Sequence, residues 1–106
     1  MPKYLIKASY TAEGLKGLRK DKASGRKAAV TTAVEGLGGK LEAMYYAFGE
    51  DDVFAIVDMP DNASMSAFSF AASSSGVTRT TTTALLTIEE VDGALGKNVS
   101  FRAAGK

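Results

Sequence analysis

Few side chains in this sequence can do chemistry, because histidine and cysteine are both absent (0 His, 0 Cys). No Cys–His zinc site and no imidazole-activated nucleophile can be assembled. There is no disulfide framework and no reactive thiol. Acid–base work rests on carboxylates, lysine and tyrosine, and anion binding rests on arginine, lysine and backbone N–H groups.

The first candidates are Lys7 and Asp58. Lys7 shares a strand face with Leu5 and Ser9 in KYLIKASY, and Asp58 shares one with Phe54 and Ile56 in VFAIVDM. Buried charges are costly unless paired. These two are therefore expected either to pair with each other or to line a wet pocket, where they would be the place for proton transfer. Tyr10, Tyr45 and Tyr46, with Phe48, form the second group. A phenol can donate a hydrogen bond from an apolar wall, and adjacent strand residues face opposite ways, so Tyr10 and Tyr46 are taken as ligand candidates. The plain alternative is aromatic core.

Glu50-Asp51-Asp52 could hold a hard cation through oxygens. Neighbouring side chains diverge, however, and the further acids of a calcium loop are missing, so an exposed acidic turn is expected and no metal is assigned. Asp52 is expected to cap backbone N–H groups, with ligand contact as the alternative. Arg79, beside Thr80 and Thr82, either holds a carboxylate or phosphate or guards a sheet edge.

The elements that position these residues follow from periodicity. Residues 3–10 alternate with period 2 and predict a strand. Residues 11–22 and 24–37 read as one interrupted helical region, capped by Thr11, broken at Ser24-Gly25 and stopped by Gly38-Gly39. Residues 40–48 and 53–59 predict an antiparallel hairpin around Gly49–Asp52. The second of these strands is apolar on both faces and is expected to lie centrally. Asp61 caps a second helix that ends at Ser75-Gly76, with Met65, Phe68 and Ala72 on one face. Residues 77–88 predict a Thr-rich strand. The remainder begins as a helical turn and becomes Gly-rich, and it is expected to be mobile or to contact a partner subunit.

The order β-α-β-β-α-β predicts an α+β, ferredoxin-like domain over residues 1–90 followed by a tail over 91–106, with a four-stranded antiparallel sheet and both helices on one face. The uncovered face then needs a partner. A second copy of the same sheet is the simplest one, which gives a homo-oligomer of dimeric α/β-barrel type.

The same residues resemble a known family. Thr11-x-x-Gly14, Leu37-Gly38-Gly39-Lys40, the Gly49…Asp52-Val53 turn, Asp58-x-Pro60-Asp61 and Gly76-x-x-Arg79-Thr80 occur in the order and spacing of the GYD-domain family. The resemblance runs from about residue 3 to residue 90 and implies membership of the dimeric α/β-barrel superfamily. Its relatives include small monooxygenases, dehydratases, haem-handling enzymes and stress proteins, so it implies a fold and not an activity. Of the Gly-Tyr-Asp signature only Asp52 is present; Asp51 stands at the tyrosine position and Glu50 at the glycine position.

Composition narrows the partners. The chain has 106 residues and a net charge of +1, with 45% apolar and 24% charged residues, as expected of one globular domain. Near-neutrality argues against a general nucleic-acid binder. The total nevertheless hides a basic segment, with Lys16, Arg19, Lys20, Lys22, Arg26 and Lys27 against Asp21, and an acidic one over residues 42–61. The basic segment keeps nucleic-acid binding as an alternative, although it lacks stacking aromatics. No apolar run reaches membrane-spanning length, no leader is recognised and no cofactor is expected, so the cytoplasm is the default location. The expected function is binding of a small organic ligand at the open sheet face, with a non-catalytic sensor or assembly module as the other possibility.

Overall fold

The alternation in KYLIKASY becomes β1 (Lys3–Tyr10). The structure, a computed structural model, describes residues 1–106 and continues with α1 (Ala12–Gly36), β2 (Lys40–Tyr46), β3 (Val53–Asp58), α2 (Asn62–Ser74), β4 (Thr78–Leu85) and α3 (Ile88–Leu95). The strands form one antiparallel sheet in the order β2-β3-β1-β4. This is the expected ferredoxin-like α+β arrangement, with α3 added behind it, and β3 lies centrally as its two apolar faces require.

The pleat sorts side chains by face. Tyr4, Ile6, Ala55 and Val57 point to the helix side. There they pack with Met59, with Val34 of α1 and with Met65 of α2 to form the core. Leu5, Phe54 and Ile56 point to the opposite side and are only half-buried. The tyrosine in the core is satisfied as well as buried, since the Tyr4 hydroxyl donates to Asn62 Oδ1.

The start of α1 is fastened to the sheet. Thr11 accepts from the Gly14 N–H at 3.1 Å, and its own N–H donates to the Val77 carbonyl at 3.0 Å. Gly14 is needed there, because a Cβ at this position would strike that same Val77 carbonyl oxygen. At the other end, Gly38 takes φ +83° to close the helix, and a Cβ on Gly39 would press on the Asp58 carbonyl oxygen and Met59 Sδ. Two of the short motifs are thus places where backbone approaches backbone.

The interruption of α1 differs from expectation. It falls at Lys22 (φ 65°, ψ 165°), while Ser24 and Gly25 stay helical. A single Ser-Gly pair costs a helix only about 1 kcal/mol, so packing of the second half can hold it. Lysine has no preference for the conformation that Lys22 adopts.

Asp61 caps α2 as expected, accepting from the Ser64 N–H at 2.8 Å. The tail is more ordered than a single turn. Thr87 and Glu90 form a reciprocal capping box (3.1 and 2.9 Å) that opens the eight-residue helix α3. No α3 residue is buried, and Leu86, Ile88, Leu95, Val99 and Phe101 are all exposed. The radius of gyration, 17.0 Å, accordingly exceeds the ~13 Å of a compact domain of this length.

Candidate ligand-binding site

The two long helices flank the sheet without closing over its middle: α1 packs on β2 and β1, and α2 packs on β4. Between them lies a cavity of about 470 Å³. Its floor is Ile6, Ala8, Met44, Val53 and Ala55, and its walls are Leu18 and Val30 from α1 and Phe68 from α2. The space exists because the remaining inward positions are small: Gly14, Gly17, Ala29 and Ala33 on α1, and Ala71 and Ala72 on α2. Larger side chains at these positions would have filled the space.

Charge enters this lining only through Asp21 and Arg26. They flank the break at Lys22 and face each other at 3.6 Å, with side chains 46% and 35% exposed. A pair this long and this wet contributes little, at most about 1 kcal/mol, so the guanidinium is loosely held.

Tyr10 joins the lining from the end of β1, and its hydroxyl lies 3.1 Å from that of Tyr46 on β2. Burial pushes the Tyr46 phenol well above the ordinary tyrosine range. The hydrogen bond with Tyr10 acts in the same direction, and the Arg26 charge opposes it. The Tyr46 phenol therefore stays protonated at physiological pH. Two hydroxyls carry two protons and the bond between them uses one, which leaves one O–H free to donate.

Of the residues expected to act together, Tyr10 and Tyr46 do meet. Lys7 and Asp58 share the open face of the sheet but do not pair. The β1–β3 register sets Lys3 opposite Asp58 and Lys7 opposite Phe54, so Lys7 is offset from Asp58 by four strand positions, about 13 Å. Asp58 is instead bound by Lys3 at 2.9 Å, and Lys3 also reaches Glu42 at 2.6 Å. Those two carboxylates, Asp58 first, hold the Lys3 ammonium above its usual range. Lys7 has no ion-pair partner. Arg79 lies exposed on edge strand β4, across from Ser9, away from the cavity.

Asp52 caps the neighbouring strand. Its carboxylate accepts from the Tyr10 N–H at 2.8 Å, while its own N–H donates to the Ala8 carbonyl at 2.8 Å. Asp51 turns aside to accept from the Ser9 hydroxyl at 3.3 Å, and no group of three carboxylates stands at metal-binding distance. The signature aspartate thus fixes the backbone at Tyr10 and is not part of the cavity lining.

Sequence reasoning missed the cavity because it follows apolar periodicity, and the signal here is the small residues. Gly17, Ala29 and Ala33 recur along the inner side of α1 and Ala72 along that of α2. In the sequence, Arg26 stands as one more charge of the basic segment. The cavity is on the helix side of the sheet, opposite the face where a ligand was expected.

A family model described as the GYD domain matches residues 4–95, from β1 through the end of α3. No curated protein and no solved structure matches the chain. No helix is long and apolar enough to cross a membrane.

Proposed function

The chain belongs to the GYD-domain family, and from that premise we propose that it binds a small organic ligand in the cavity between the sheet and helices α1 and α2. The observation that carries this reading is a mostly apolar space of about 470 Å³ with a few polar side chains in its lining. Small-molecule sites span roughly 300–1,000 Å³ and have this division between an apolar body and a few orienting polar groups. With no imidazole or thiol available, the orienting groups are the two phenols and the Arg26 guanidinium.

The test uses 1-anilinonaphthalene-8-sulfonate, which fluoresces when it enters apolar cavities. The protein has no tryptophan to interfere (Trp 0). Saturable binding at one site per chain supports the proposal. A wild-type emission no stronger than that of an unrelated folded domain rejects it.

A second element of the proposal is self-association through the other face of the sheet. Leu5, Phe54, Ile56 and Leu85 form a half-buried apolar band there, and α3 adds exposed Ile88 and Leu95 beside it in the chain. Light scattering at tens of micromolar is expected to give a multiple of the 11.1 kDa chain mass. A monomer at that concentration rejects this element and leaves the cavity reading standing.

A further inference from the structure

The distribution of charge at the cavity specifies the ligand more closely. Arg26 is the only cation in the lining; Lys16, Arg19, Lys20, Lys22 and Lys27 belong to the same helix but do not reach it. Its guanidinium offers five N–H donors in a planar fork, and its one carboxylate contact, to Asp21, is at 3.6 Å, beyond hydrogen-bond length. A strong bidentate donor at the lip of an apolar cavity is thus left with unmet capacity. Beside it, the Tyr10–Tyr46 pair (3.1 Å) supplies one further O–H donor. The rest of the lining is mostly hydrocarbon, chiefly Ile6, Val30, Val53, Ala55 and Phe68, with Ser75, Thr78 and Thr80 on the side of α2 and β4.

Resting on the cavity reading above, we infer that the ligand is an apolar monocarboxylate. Its acid group is held by Arg26 and the tyrosine pair, and its aliphatic or aromatic body fills the space below. The planar fork of arginine matches a carboxylate bidentately. A single lining cation balances one negative charge, and a phosphate ester would bring a second charge with no partner. The ligand acid takes the place of Asp21 against Arg26, so Asp21 is a competitor for the site and not a contact to the ligand.

The experiment measures displacement of 1-anilinonaphthalene-8-sulfonate by 4-phenylbutyrate and by its uncharged amide, on wild type, Arg26→Gln and Asp21→Asn. Circular dichroism first establishes that each variant is folded. Both substituted side chains are partly exposed, so folding is expected to persist. The acid is expected to bind wild type at least tenfold tighter than the amide. Arg26→Gln should weaken the acid about tenfold and leave the amide within twofold, and Asp21→Asn should tighten the acid. Equal affinity for acid and amide, or an equal loss of both in Arg26→Gln, overturns the carboxylate assignment while the cavity reading survives. Failure of all three compounds to bind wild type overturns the cavity reading and this inference with it.

Discussion

Tyr10 and Tyr46 stand hydroxyl to hydroxyl at 3.1 Å, one at the end of the first strand and the other at the end of the second. β3 lies between those strands, so the contact spans the sheet at the cavity end. Asp52 fixes one side of it by accepting the Tyr10 N–H. Burial, chiefly, keeps the Tyr46 phenol protonated.

The sign of the pH effect follows from that. A phenol whose folded pKa is raised contributes stability that is fully present below the unfolded value of about 10 and is lost as pH rises beyond it. Ultraviolet titration of wild type and of Tyr46→Phe should differ by one phenol that ionises above the ordinary tyrosine range. Tyr46→Phe should also flatten the alkaline loss of stability. A difference between the two proteins that titrates at or below pH 10 would contradict the placement of Tyr46.

Gly14→Ala tests the close approach at the start of α1. Alanine favours a helix by about 1 kcal/mol over glycine, so on an open helix face the change would stabilise. Here the new Cβ meets the Val77 carbonyl oxygen, which is backbone and cannot swing away. A net loss of roughly 1–3 kcal/mol is expected from this overpacking, read as a lower urea midpoint. A gain in stability would show that α1 does not sit this close to the entry of β4.

Lys22 occupies a backbone region that is nearly exclusive to glycine (φ 65°, ψ 165°). The strain there is on the order of 1–3 kcal/mol. Glycine relieves it at the expense of up to about 1 kcal/mol of added unfolded-state freedom. Lys22→Gly is therefore expected to raise stability by about 1 kcal/mol, or several degrees in Tm. A destabilised variant would place the break in α1 elsewhere.

Thr82 carries a buried hydroxyl with no hydrogen-bond partner. A buried polar atom left unpaired costs about 1–3 kcal/mol, and valine has the same shape with better strand propensity. Thr82→Val should raise the urea midpoint without changing the slope of the transition. A lowered midpoint would mean that the hydroxyl is satisfied after all.

The residues show why some of this could be read from the sequence and some could not. β1 and the two-faced β3 declared themselves by alternation, and Asp61 and Thr11 declared the helix starts by capping chemistry. These are local rules, and local rules are visible along a chain. Pairing across strands is not local. Lys3 and Lys7 lie on the same face of β1, and only the register decides that Asp58 falls opposite Lys3. The cavity is less legible still, because it is made by what Gly17, Ala33 and Ala72 leave unfilled. Tyr10 and Tyr46 could be named as residue types, but their meeting depended on β3 lying between their strands. Arg26 acquires its role only because the break at Lys22 sets it against Asp21 at the cavity lip.

Gly17→Leu in the 1-anilinonaphthalene-8-sulfonate assay tests ligand binding in the cavity most directly. Gly17 lines the cavity, and a Cβ there meets nothing within 4 Å. Leucine should occupy the space without a clash and favour the helix by up to about 1 kcal/mol. The expected result is a folded protein with an equal or higher Tm and at least tenfold weaker binding of the dye. Unchanged dye affinity in a folded Gly17→Leu protein would contradict binding in this cavity.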